Sequence, residues 1–151
     1  MKKILAPLAI SFAFLMASAP AHADHHVIKM LNGGKGGSMS FEPAFLKIAV
    51  GDTVTFEPTN SGHQVRSLAT PEGVKPWRSE LDKPFTLTAD KEGLYFFDCP
   101  PHLMMGMVGV IQAGNPTNRE AVEKAIKANR GRMMTNPKRA DTLLEAIRQA
   151  N

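Results

Sequence analysis

The chain has 151 residues, 43% of them hydrophobic and 21% charged, with a formal net charge of +4 and a single cysteine. That length allows one domain with a real core. The modest charge is not interleaved with aromatics as in nucleic-acid surfaces, and one cysteine cannot form a disulfide within the chain, so it must pair between chains, stay free or be occupied.

Lys2 and Lys3 precede an apolar stretch from Ile4 to Ala17, broken only by Pro7 and Ser11, and Ala21-His22-Ala23 is a small-x-small cleavage signature. This reads as a secretory leader over 1–23, removed before Asp24. The stretch falls short of the ~20 residues that span a bilayer, so no membrane anchor is expected after cleavage. His25 and His26 then stand at the new N-terminus, where they could meet a metal with the free amine; they read as a disordered polar start and receive no role.

From Val27 to Ala113 the chain consists of short β-like runs: Val27 to Leu31, Phe45 to Val50, Thr53 to Phe56, Phe85 to Thr88, Leu94 to Cys99 and Val108 to Ala113. Asn32-Gly33-Gly34, Gly36-Gly37, Gly51-Asp52, Asn60-Ser61-Gly62, Pro71-Glu72-Gly73 and Glu92-Gly93 punctuate them. Short strands at this spacing predict a mainly β sandwich or barrel over 24–114, not βαβ units. Residues 67 to 83 lack strand periodicity and read as a long connection.

After Gly114 the period changes. Thr117 with Glu120 is a capping-box pattern opening a helix to about Ala128, closed near Gly131. Asn136-Pro137 starts a second helix, with Ala140, Leu143, Leu144 and Ile147 on one face. The extension 115–151 is expected to pack on the same domain, since short helices are not stable alone. It carries eight basic and four acidic residues, against eight and ten from Asp24 to Gly114. That excess could favour an acidic partner, although short exposed helices are commonly basic.

The chemistry concentrates at Cys99-Pro100-Pro101-His102, with Met107 five residues further on and His63 upstream. Thiolate and thioether are soft and select copper, imidazole suits either of its oxidation states, and two His plus Cys with a weak axial Met is the electron-transfer copper arrangement. Cys99 ends an extended run, so Tyr95, Phe97 and Cys99 share one face. The two prolines force a turn that carries His102, and Gly106 eases the bend before Met107. One loop can thus bring three ligands to a point. Zinc has little use for a thioether, and four filled positions leave no room for a substrate. Singly, Met104, Met105 and Met107 could be apolar filler and each histidine structural. A copper-delivery protein, a copper-enzyme fragment and a structural free thiol are the competing readings.

These residues, with Met30-Leu31-Asn32, Met39, Phe41-Glu42-Pro43, Gly51 to Phe56, Gly62-His63, Met105-Gly106-Met107 and Val110-Ile111, resemble the small blue-copper proteins, the cupredoxins, and within them the pseudoazurin family. The resemblance runs from Asp24 to the C-terminus. It implies a Greek-key β-sandwich with two short C-terminal helices and one type 1 copper held by His63, Cys99, His102 and Met107. It further implies a monomeric periplasmic electron carrier, not an enzyme, serving a transient redox partner such as a nitrite reductase. His102 would be the electron port, within an apolar patch drawn from Pro100, Pro101, Leu103, Met105 and Met39. Lys35, Arg66, Lys75 and Arg78 would be the cations that attract an acidic partner; Asp98 stands where relatives often carry lysine. Gln64 and Pro100 replace the asparagine and threonine usual in relatives. The two changes are expected to compensate for each other, leaving the Gln64 N–H free to bond the thiolate.

Overall fold

The computed structural model describes residues 22–150. All but the last two residues of the expected leader, 1–23, lie outside them. Eight strands form two four-stranded sheets that face each other as a Greek-key sandwich. The first contains β1 (His25–Gly34), β2 (Gly37–Glu42), β4 (Thr53–Pro58) and β6 (Phe85–Thr88), in the order β2-β1-β4-β6. The second contains β3 (Phe45–Ile48), β5 (Arg66–Ala69), β7 (Gly93–Asp98) and β8 (Val108–Ala113), in the order β3-β8-β7-β5.

Alternation along each strand divides the apolar residues between two cores. Ile28, Met30, Val54 and Phe56 of the first sheet meet Tyr95, Phe97 and Ile111 of the second, all fully buried. Phe97 lies edge-on to both Phe41 and Phe56 with ring centroids 4.9 Å away, a favoured aromatic geometry. The other face of β7 and β8 carries Leu94, Phe96 and Val110 against the helices α1 (Arg119–Arg130) and α2 (Lys138–Gln149), through Val122, Ile126, Leu143 and Ile147. β7 is therefore buried on both sides, which is why its sequence is an unbroken apolar run. Burying each large side chain contributes roughly 1.5–3 kcal/mol. Two twelve-residue helices that are marginal alone become stable on this surface.

Several elements differ from the sequence expectations. β2 and β5 were not anticipated. β5 has only half-buried positions and a register shift against β7, so it shows no alternation to read. β2 follows a glycine-rich turn that masks its start. His25 and His26 lie in β1, paired with Thr53 and Val54, and are not a disordered start. His26 Nε2 is 2.9 Å from Asp52 Oδ2, and Asp52 also accepts the main-chain N–H groups of Asp24 and Ala49. The capping box does not form, because the Thr117 hydroxyl donates to the Glu92 carbonyl while the Asn118 side chain pairs with both main-chain groups of Leu94. Asn136 likewise uses its amide on the Met105 carbonyl instead of capping α2.

Candidate metal centre

Cys99 follows β7, and its N–H donates to the carbonyl of Met107, the residue just before β8, at 3.0 Å. This antiparallel pairing closes the base of the loop between the two strands. Pro100–Met105 forms two short 3-10 turns that meet at a kink at His102 (φ −122°, ψ 15°), and the two prolines fit the start of the first. Gly106 ends the second in the left-handed region at φ 74°, where a Cβ would stand 2.9 Å from the Asn136 carbonyl oxygen. Only glycine fits that bend against the α1–α2 linker.

The loop from β4 to β5 supplies His63. Asp82 fixes it, accepting the N–H groups of Gly62 and His63 at 2.6 and 3.0 Å and returning its own N–H to the His63 carbonyl at 2.8 Å. The His63 ring is completely buried, and its Nε2 lies 2.9 Å from Asn32 Oδ1 in β1. An amide oxygen only accepts, so Nε2 carries the proton and Nδ1 presents a lone pair. That lone pair faces Cys99 Sγ at 3.8 Å, and His102 Nδ1 faces the same sulfur at 3.4 Å. The three donor atoms all lie within 4.8 Å of one another, and Met107, whose main chain bonds Cys99 and His102, is fully buried.

The donors are poised for a soft cation. Burial pushes the Cys99 thiol up to about 11; the Gln64 and His102 main-chain N–H groups act to lower it and offset this only in part, and Asp98 and Asp82 add to it. Burial, helped by His102, lowers the His63 imidazole against a smaller opposing effect of Asp82, which keeps it neutral and able to donate. A buried thiol with two aligned imidazole lone pairs suits a metal that displaces the thiol proton. The set fits copper.

Sequence reasoning brought His63, Cys99 and His102 together correctly and placed Met107 on the same loop. Asn32 and Asp82, which orient His63, were missed; an Asn in a turn and an exposed Asp give no sequence signal of such a role. Leu103 does not join a surface patch: it is 3% exposed and packs toward the helices, while Met104, 63% exposed, takes the outward position. Arg66 is not a free docking cation either, because its guanidinium holds the buried Asp98 carboxylate through two bonds of 3.0 and 2.7 Å. The Gln64 main-chain N–H acts to lower the thiol's value. Its side chain instead accepts from Arg78 Nε at 2.7 Å and does not compensate for Pro100.

A two-sheet sandwich in which a buried imidazole and thiol meet a second, half-buried imidazole defines a class of copper protein, and the comparisons agree. The profile of "Copper binding proteins, plastocyanin/azurin family" matches residues 28–114. Pseudoazurin of Paracoccus pantotrophus is 42% identical over 120 residues, covering 78% of this chain and 83% of that protein. Pseudoazurin of Methylorubrum extorquens is 36% identical over 144 residues, covering 94% and 93%. The crystal structure of pseudoazurin from Methylobacterium extorquens AM1 superposes with a TM-score of 0.68 at 32% identity, covering 85% of this chain and all of that one. The chain belongs to the plastocyanin/azurin family of copper-binding proteins, on its pseudoazurin branch. Its cofactor is one type 1 copper, and its general role is that of a blue copper electron carrier.

Proposed function

We propose that copper would be held by His63 and His102 through Nδ1, by Cys99 through thiolate and by Met107 as the weakest donor. We further propose that the chain works as a monomeric one-electron carrier in the periplasm after removal of its leader before Asp24. The observation that carries this reading is the alignment of both imidazole Nδ1 atoms on the Cys99 sulfur, with Asn32 fixing the His63 tautomer. When bound, copper supplies a one-electron couple between Cu(II) and Cu(I). The protein supplies the rest. Asn32 and Asp82 lock His63, the Cys99–Met107 pairing locks the loop, and full burial of His63, Cys99 and Met107 excludes water and reactants. Ligands held this firmly keep their places whichever charge the site carries.

His102 is only partly buried and reaches the rim beside exposed Pro101 and Met104, so it is the route by which an electron enters or leaves. The small apolar rim suits a short-lived interface. Lys35 and Lys75 are exposed cations that would speed encounter with an acidic partner more than they would tighten it. Nitrite reductase is the first partner to test, among other periplasmic donors and acceptors. The Asp24 N–H bonded to Asp52 supports a mature start at Asp24, where a free ammonium would face that carboxylate. Burial of the sulfur ligands speaks against a delivery protein, which must hand over its metal. Stopped-flow mixing of the reduced protein with copper and haem nitrite reductases across ionic strength tests the proposal. Second-order oxidation that slows with salt supports it, and copper exchange faster than electron transfer contradicts it.

A further inference from the structure

Arg139, on the first turn of α2, is half-buried, yet its guanidinium donates only to main-chain carbonyls. Nη2 bonds Gly36 at 2.6 Å and Ser38 at 2.8 Å, and Nη1 bonds Met39 at 2.7 Å, all in the turn and strand after β1. Nη1 also reaches Gly106 at 3.2 Å and Met105 at 3.4 Å, the two residues directly before Met107. The fork therefore ties α2 to two separate segments, and one of them is the ligand loop. A planar guanidinium can do this; a lysine ammonium, with one nitrogen, cannot span the same acceptors.

The segment leading into α2 grips the same loop from outside. The Met104 carbonyl accepts the N–H groups of Met134 and Thr135 at 2.8 and 3.0 Å, and the Met105 carbonyl accepts the Asn136 side-chain amide at 3.1 Å. Every carbonyl from Met104 to Gly106 is thus held by residues 134–139. Without them the Met104 and Met105 carbonyls would turn to water, Gly106 would keep only the Val108 N–H, and Met107 would be anchored through its main-chain bonds to Cys99 and His102. Removing a charged donor from several carbonyls at once is also more costly than losing one neutral bond.

We propose that Arg139 is a positioning residue: with the α1–α2 linker it clamps the ligand loop and sets where the Met107 thioether sits, so the C-terminal extension tunes the metal centre. This rests on the ligand set proposed above. It gives the helices a role beyond covering the sheet, since the hold on the loop passes through α2 and not through the strands. The clamp also fixes the loop against the β1–β2 hairpin.

The test compares Arg139→Met and Arg139→Lys with wild type and with Arg130→Met, which breaks an exposed ion pair to Asp141 on the same helices. In the copper-free proteins, amide hydrogen exchange is read at Met105 to Val108. In the copper-loaded proteins, the relative intensities of the visible charge-transfer bands, the rhombicity of the electron paramagnetic resonance spectrum and the reduction potential are read. Arg139→Met is expected to speed loop exchange on the order of tenfold or more and to change the band ratio and potential. Arg139→Lys should fall between it and wild type, and Arg130→Met should match wild type. If Arg139→Met does not fold, Arg139→Lys carries the comparison, because it keeps the charge and the stem. Variants that melt earlier but keep wild-type exchange and spectra would overturn the clamp, as would equal changes in Arg130→Met. A wild-type protein without the blue spectrum would instead reject the ligand set, and the copper-free exchange data would still judge the clamp.

Discussion

Arg66→Met removes the guanidinium from a carboxylate that has no exposure to solvent. Asp98 is completely buried beside Cys99, and the Arg66 side chain is 33% exposed. Losing one partner of a buried pair typically costs 3–5 kcal/mol. The partial exposure of Arg66 lets water reach the vacated position, which places the loss at the lower end, about 3 kcal/mol. For a chain of this size that is a fall in Tm of about 10 °C. Asp98→Asn removes the charge, so the double variant should regain part of the loss, giving a coupling of about 2 kcal/mol by calorimetry of the copper-free proteins. The double variant also keeps the local charge, so its encounter with a redox partner should show the wild-type dependence on ionic strength. A single variant that loses less than about 1 kcal/mol would refute the structural role of the pair. A double variant that reacts more slowly only at low salt would show that Arg66 itself docks.

Asn32→Leu takes the acceptor from His63 Nε2 and should weaken copper binding about 10–100-fold in competition titrations without lowering the Tm of the copper-free protein by a comparable amount. The Asp52 carboxyl is held below its usual value first by the His26 side chain, then by the main-chain N–H of Asp24. The stability it contributes is present above about pH 4 and is lost as pH falls through its lowered value. Asp52→Asn should therefore flatten the acid limb of the Tm–pH curve, and an unchanged limb would remove Asp52 from the account. Because the Cys99 thiol is pushed up to about 11, copper uptake at neutral pH should release close to one proton per ion, measurable in weakly buffered solution. Met107→Gln should still bind copper but with an altered potential, since the axial ligand is the weak one.

What was legible in the sequence follows from range. Cys99 and His102 sit within one loop, so their spacing and the intervening prolines were enough to converge them, and Met107 stands on that same loop. His63 could be paired with them by chemistry, but its placement depends on Asn32 of β1 and on Asp82 in the turn ahead of β6, with no motif to mark either. The aromatic run of β7 reads as buried because both of its faces are covered, whereas β5 is half-buried and leaves no period. Leu103 and Met104 were exchanged because the 3-10 turns that begin at the prolines rotate the loop differently from an extended turn. The two helices were legible from their apolar stripes; their caps were not, because Thr117 and Asn136 found acceptors elsewhere in the fold.

The central claim is that two imidazoles, one thiolate and the Met107 thioether would hold a single copper ion. Adding one equivalent of Cu(II) to the purified copper-free protein and recording the visible and electron paramagnetic resonance spectra tests it most directly. The account predicts an intense thiolate-to-copper band with narrow copper hyperfine splitting, saturating at one ion per chain and absent in Cys99→Ser. A colourless or pale protein with wide tetragonal splitting, or a band that survives Cys99→Ser, would contradict it.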